Sequence, residues 1–302
     1  MKSLSPKQVA RALAVSESSL KRWCDLGLLP SSKTGGGHRR LELDSVLRFV
    51  QDTGRRLAHP ELLGLPARTG TGDRTCSAAQ SDLFCSLLAG DETSCRQIVL
   101  DAQLAAIPLS RIFDEIVAPT FQRIGEAWAC GKAHIYEERR AVETFERVLY
   151  DLRQSLSVPA AGAPLAIGGT PSSDPYSLAT AMAELVLRQN GWGAQSLGSR
   201  LPLETLAEAI EQLRPRLFWL SVSHLDDETV FLREYRDFHA RVPTEVLIVV
   251  GGQALTETLR RQMQYAAYCD NMQHLAGFAT AAWPVKPKRK KPATAKVSKR
   301  TK

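Results

Sequence analysis

Between residues 160 and 282, short apolar runs alternate with segments long enough for helices, and this pattern restricts the fold more than any other in the chain. The runs lie at 164–170, 193–198, 217–223, 245–252 and 267–270. The intervening segments, from the first run to about Asn190 and then at 203–213, 226–240 and about 254–266, read as helices. Strands separated by helices predict a parallel sheet, because parallel neighbours need a long crossover and the crossovers cover both faces. Ligands bind such sheets beyond the carboxyl ends of the strands. The loops at 168–176, 221–225 and 251–254 are therefore the candidate ligand-side loops.

Upstream, residues 77–158 carry helical periodicity, with segments at 78–89, 92–106, 109–129 and 134–157. The last of these aligns Val142, Phe145, Val148, Leu149 and Leu152 along one stripe. Four helices with short connections predict an antiparallel bundle. Residues 57–76 have a linker composition, rich in glycine, threonine and arginine.

The first 56 residues read as a small helical module. Ser5 before Pro6 is a helix start, with a hydroxyl cap and proline at the first helical position. Ser16 caps a second helix over about 17–26, which carries Ser18, Ser19, Lys21 and Arg22 off its apolar face and ends at Gly27. Three consecutive glycines at 35–37 mark a turn between short segments that can pair as a hairpin, with His38, Arg39 and Arg40 on its second arm. Asp44 is placed to cap a third helix, from Ser45 to about Thr53. Two short helices and a polar turn fit a helix-turn-helix, and the hairpin adds a wing.

The net charge of +7 is unevenly spread. Residues 1–60 carry +6 and residues 286–302 carry nine basic side chains and no acidic one, leaving −8 in between. Basic ends around an acidic middle suit attraction of the ends to a phosphate backbone. The tail over 283–302, nearly devoid of apolar residues, is expected to be disordered. No apolar run approaches the roughly 18–20 residues of a membrane span, and no secretory leader is evident, so a cytoplasmic protein is expected. Six widely spread cysteines without a CxxC pair suggest reduced thiols and neither a zinc site nor a disulfide framework.

The stretch SPKQVARALAVSESSLKRWCDLGLLP followed by GGGHRRLELDSVLRFV resembles the MerR family of winged-helix regulators. The resemblance implies double-stranded DNA as partner, a recognition helix carrying Ser18, Ser19, Lys21 and Arg22 in the major groove, and His38, Arg39 and Arg40 of the wing on the backbone.

The order winged helix, bundle and Rossmann-like domain is similar to the light-sensing, adenosylcobalamin-dependent MerR-type repressors of carotenoid genes. That resemblance implies a multidomain α and α/β architecture: winged helix-turn-helix (1–56), four-helix bundle (77–158) and Rossmann-like parallel-sheet domain (160–282). It implies cobalamin, adenosylcobalamin in particular, between the last two. In the bundle the family has a tryptophan and, after nine residues, Glu-His; here Trp128 and Glu138 stand at those places, with Arg139 instead of the histidine. After the first strand the family has Asp-x-His-x-x-Gly, whose histidine ligates cobalt from below; here Asp174 remains, but Tyr176 and Ala179 replace the histidine and glycine. A phenol with a pKa near 10 is a poor metal ligand. Ser221 and Ser223 match a Ser-x-Leu or Ser-x-Thr loop that contacts the buried nucleotide tail, and Gly251-Gly252 match a diglycine that lets the tail lie against the sheet.

Three readings of the C-terminal half stay open: cobalamin with its own base or none below the cobalt, another ligand, or a ligand-free oligomerisation module. His224, in a ligand-side loop, is a candidate substitute ligand. No Ser/His/Asp or Cys/His constellation points to an enzyme, and paired carboxylates such as Asp226-Asp227 sit at helix starts. The expected function is a homo-oligomeric DNA-binding transcriptional regulator with a cobalamin-binding-like sensor half. The alternative is a corrinoid-carrying component of a methyl-transfer system.

Overall fold

The computed structural model of the protein describes residues 3–33, 35, 37–65, 69 and 75–283. The basic tail expected at 283–302 lies outside the described residues apart from Trp283.

The N-terminal module begins with strand β1 (Ser3–Leu4) and helix α1 (Pro6–Ala12), started by a reciprocal capping box between Ser5 and Gln8. Helix α2 (Glu17–Asp25) is capped by Ser16, whose hydroxyl accepts from the Ser19 N–H at 3.1 Å. Gly27 follows with φ +69°, the left-handed conformation expected of it. Strands β2 (Ser32–Lys33) and β3 (Arg39–Glu42) form the wing, and β1 pairs with the other edge of β3. Helix α3 (Leu43–Thr53) starts two residues before the expected Ser45 and runs straight on from β3, so Asp44 lies within its first turn and complements the helix dipole.

Residues 57–65 depart from the loose linker that their composition predicts. Pro60–Leu63 form a 3₁₀ turn, Leu57 and Leu63 enter the winged-helix core, and Ala58 and His59 both donate to the Ala12 carbonyl. Two leucines among the turn residues are enough to fasten the segment to α1.

The bundle comprises α4 (Cys76–Ala89), α5 (Glu92–Leu104), α6 (Leu109–Ile112), α7 (Ala118–Ala129) and α8 (Ile135–Ser155). The expected helix over 109–129 is one rod, but Phe113–Val117 form a π turn joining α6 to α7. That turn inserts one extra residue and buries Phe113, Ile116 and Val117.

The C-terminal part alternates as its apolar runs predict: β4 (Leu165–Gly169), α9 (Leu178–Gln189), β5 (Gly193–Ser196), α10 (Leu203–Leu213), β6 (Leu217–Ser221), α11 (Glu228–Arg241), β7 (Leu247–Gly251), α12 (Glu257–Arg260), β8 (Ala267–Cys269) and α13 (Met272–Ala282). The five strands are parallel, in the order β5-β4-β6-β7-β8. The topological switch point therefore lies between β4 and β6, where a ligand crevice is expected. Helix α12 is a single turn within the longer helix expected at 254–266; Leu259 reaches the core from it, and Leu255 and Met263 do so from the turns on either side. Helix α13 carries no counterpart among the expected elements; Asn271 caps it, and Leu275 and Ala279 are its buried face.

Residues alternate strictly across the sheet. Ile167, Phe218, Leu220, Ile248 and Val250 face α10 and α11, whereas Ala166, Leu217, Trp219 and Val249 face α9 and α13. The second face continues without a break into the bundle, since one apolar cluster contains Phe113, Phe145 and Leu149 together with Val186, Trp192 and Ala279. Trp192 is fully buried at this junction, and its indole N–H donates to the Ala279 carbonyl at 3.2 Å. Trp192→Ala is expected to lower unfolding stability by about 3–5 kcal/mol, the usual cost of emptying an aromatic site, as measured by urea unfolding.

Candidate ligand cavity and nucleic-acid interface

Helix α2 and the wing carry the residues expected at DNA. Ser18, Lys21 and Arg22 are exposed on α2, and His38 and Arg40 are exposed on the wing. Ser19 is half-buried; Ser18 and Ser19 both pair with the Ser16 hydroxyl, at 2.8 and 2.9 Å, and so belong to the α2 N-terminus as much as to its outer face. Arg39, also expected at the phosphate backbone, has partners within the protein. Its guanidinium donates to the Asp25 carboxylate at 2.7 Å and to the Lys21 carbonyl at 3.2 Å. The Asp25 hydrogen bond is the main reason that the Arg39 pKa is raised further. Arg39 thus clamps the wing to the C-terminal end of α2. The sequence offers no signal for this pair, which lies 14 residues apart across the hairpin.

A cavity of about 1090 Å³ opens between the bundle and the carboxyl edge of the sheet. From the bundle it is lined by Gln122, Trp128, Glu138, Arg139 and Val142. From the sheet side it is lined by Tyr176, Ser221, Ser223, Gly251, Gly252 and Gln253. Seven of the eight residues expected at a ligand therefore face one space. Trp128, half-exposed near the end of α7, and Glu138, in the first turn of α8, stand on the side opposite Tyr176. Arg139 turns its guanidinium toward Glu138 at 3.5 Å.

Asp174 is the exception. It is fully buried behind the cavity wall and bridges the switch point. Its Oδ1 accepts from the Tyr176 N–H at 2.9 Å, its Oδ2 accepts from the Ser223 N–H, and the His224 N–H adds a further bond. Burial pushes the carboxyl above its ordinary value, and these N–H groups only partly offset that shift. Asp174 thus shapes the two ligand-side loops and leaves the lining to its neighbours. His224 departs from its candidate role: it pairs with Asp226 at 3.0 Å and lies outside the cavity lining.

The diglycine has a local cause. Gly252 has φ +112°, and a Cβ there would sit 2.2 Å from the Val222 carbonyl oxygen. A Cβ at Gly251 would sit 2.8 Å from the Cys269 carbonyl oxygen. Close backbone approach at the ends of β6, β7 and β8 demands both glycines, whatever the cavity holds.

Trp219 is among the lining residues that sequence reasoning missed. It pairs in register with Gly168 of β4, and a Cβ on Gly168 would lie 2.2 Å from the indole. The ring therefore lies across the neighbouring strand, 3% exposed, and donates to the Thr180 hydroxyl of α9 at 2.9 Å. The period-2 alternation of 217–221 already separates Trp219 from Phe218 and Leu220 and was the available signal.

The cavity offers little to a metal. Among the described residues no three His, Cys, Asp or Glu side chains converge on a metal position. Cys269 reaches the lining, but burial pushes its thiol up to about 11, so it stays neutral.

Comparison with known proteins agrees with this division. Residues 3–54 match the family model of a helix-turn-helix domain, and residues 79–152 match that of a B12 binding domain. The chain is 29% identical over 163 residues to the HTH-type transcriptional repressor CarH of Myxococcus xanthus, a match covering 52% of each protein. It thus spans about half the length of that relative. A solved structure, the monomethylamine corrinoid protein of Methanosarcina barkeri, is similar in fold, with a TM-score of 0.58 at 14% identity over 68% of this chain and 99% of that one. One chain therefore joins a helix-turn-helix domain, a B12-binding type of helical domain and a parallel-sheet Rossmann-like domain. Among the described residues no helix is long and apolar enough to cross a membrane.

The raised pKa of Asp174 fixes the sign of a pH effect. Its ionisation opposes folding, so the stability it contributes is complete below the ordinary aspartate range and is lost as pH rises through the raised value. In urea unfolding from about pH 4 upward, Asp174→Asn is expected to show a smaller decline with pH than the wild type.

Proposed function

We propose that this protein is a DNA-binding transcriptional regulator, with a MerR-like reading head, whose cavity is a corrinoid site and whose occupancy sets its homo-oligomeric state. The observation that carries the proposal is the cavity itself. It lies between a bundle of the B12-binding type and a parallel sheet, and seven residues expected at a corrinoid line it. Its volume of about 1090 Å³ suits a ligand larger than the usual drug-sized occupant of about 300–1,000 Å³.

The residues fit a corrinoid as a shape and not as a protein-ligated cobalt. Trp128 provides a flat apolar cover that excludes water from the ligand face. Glu138, Ser221 and Ser223 supply polar contacts at the rim. Tyr176 offers a phenol where an imidazole donor would be needed. When bound, an alkylcorrinoid supplies a light-sensitive cobalt–carbon bond. The chain holds the ligand through the two walls, bundle and sheet edge, so a change in the ligand alters the surface that those walls present.

On DNA, α2 reads base edges with Arg22 and Lys21, and Arg40 contacts phosphate. The basic 286–302 segment adds attraction that is independent of sequence. Oligomerisation multiplies weak single contacts into stable binding. Arg39 acts within the protein, holding the wing on α2 through Asp25.

Two measurements test this reading. In binding to duplexes selected from a random pool, Arg22→Ala is expected to lose about 1–3 kcal/mol and relax base preference. Arg40→Ala is expected to weaken all sequences alike and reduce the salt slope by about 1. Binding that ignores α2 and wing substitutions would refute the DNA assignment. For the cavity, protein mixed with adenosylcobalamin in the dark and passed through gel filtration is expected to retain the pigment and to elute differently after illumination. Colourless protein would refute the corrinoid assignment.

A further inference from the structure

We infer that a corrinoid in this cavity keeps its own nucleotide base on cobalt, so that the protein binds the base-coordinated form and takes up no released tail. The inference rests on the corrinoid reading proposed above. Two features of a protein favour release of the base: a donor to take its place beneath the cobalt, and an apolar slot to house the freed aromatic ring. The cavity supplies neither.

The donor is missing on chemical grounds. The loop after β4 presents Tyr176, a residue 45% exposed whose side chain offers a hydroxyl oxygen in place of an imidazole nitrogen. Among the described residues no histidine lines the space, and His224 is turned to Asp226. Cys269 is a buried neutral thiol. The thioethers of Met182 and Met272, also in the lining, are weak acceptors that do not compete with an aromatic nitrogen.

The slot is missing on steric grounds. Beneath the carboxyl edge, the apolar layer of the sheet lies between β4, β6 and α9. That layer is filled by the Trp219 indole, laid over Gly168 and tied to Thr180 at 2.9 Å. Val249 and Leu275, which also line the cavity, form its floor beside that ring, at 2% and 4% exposure. The same contact explains why Gly168 has to be glycine: the space above it already belongs to an aromatic ring of the protein. Tyr176 and Trp219 lie on different elements and remove the two features independently, yet both leave the base where it starts.

The test compares adenosylcobalamin with adenosylcobinamide, which has the same corrin and lacks the nucleotide base, on the full chain in the dark. Bound adenosylcobalamin is expected to keep the visible spectrum of the base-coordinated free compound. Adenosylcobinamide is expected to bind within about threefold of it, less than the tenfold that corresponds to 1.4 kcal/mol. A bound spectrum of the base-free type would overturn the inference and leave the corrinoid reading intact. Retention of neither compound would overturn both. A second arm restores what is missing. The double variant Tyr176→His/Trp219→Gly is expected to shift bound adenosylcobalamin to the base-free spectrum, and Tyr176→His alone is not. A shift in the single variant would show that Trp219 does not close the slot. The wild-type comparison decides the question even where loss of the indole prevents folding.

Discussion

The shared apolar face between bundle and sheet is the constraint on which the rest of the structure depends. Helices α9 and α13 are packed on two sides, against Ala166, Leu217, Trp219 and Val249 of the sheet and against the bundle. Neither half can bury this surface alone. Polar latches fix their relative position. Glu184 of α9 accepts from Arg153 of α8 and from Arg188, at 2.5 and 2.9 Å, and also from the Ser196 N–H. Asp114 accepts from the Met272 and Gln273 N–H groups at 2.8 and 2.9 Å, capping α13 from the bundle. The Gln189 amide oxygen accepts from the Leu109 N–H in the same way. Buried or half-buried polar pairs of this kind contribute more to geometry than to stability. The cavity is the space left where the two halves diverge above this seam.

Much of the architecture was legible because it is written in local chemistry. Ser5 before Pro6, Ser16 before α2 and Gly27 after it mark their elements through capping groups and a left-handed turn. The parallel sheet followed from apolar runs separated by helices. What escaped depends on contacts distant in sequence. Helix α13 is apolar but weakly amphipathic, so its sequence carries no clear helical stripe; packing against α9 and capping by Asn271 and Asp114 hold it. Residues 57–65 have turn composition, yet Leu57 and Leu63 find partners in the winged-helix core. The truncated α12 keeps its apolar spacing but satisfies it through turns.

The candidate sites divide along the same line. A resemblance could carry Trp128, Glu138 and Tyr176 to one cavity, because each is a position in a spacing. It could not show that Asp174 spends its carboxylate on three backbone N–H groups, or that Arg39 is held by Asp25. Both side chains turn inward to support a surface that their neighbours present. The diglycine illustrates the converse, a motif consistent with a ligand whose necessity lies in the carbonyls of Val222 and Cys269.

The π turn at Phe113–Val117 sits where the bundle meets both α13 and the cavity. Because the π turn absorbs one residue, everything after it is offset by about 100° around the axis from where an unbroken α-helix of the same residues would place it. With that offset, Gln122, Gly125 and Trp128 all point into the cavity while Ile124 stays in the core. The upper wall is therefore specified by a count of residues as well as by their kinds. Straightening Phe113–Val117 into an ordinary helix at unchanged length would swing the whole of α7 out of phase and turn Trp128 away from the space it covers, whereas losing one amino acid there would remove the π turn and leave that phase as it is. Relatives one residue shorter in this stretch would therefore build the same wall from an unbroken helix, while relatives of equal length need the π turn to present it.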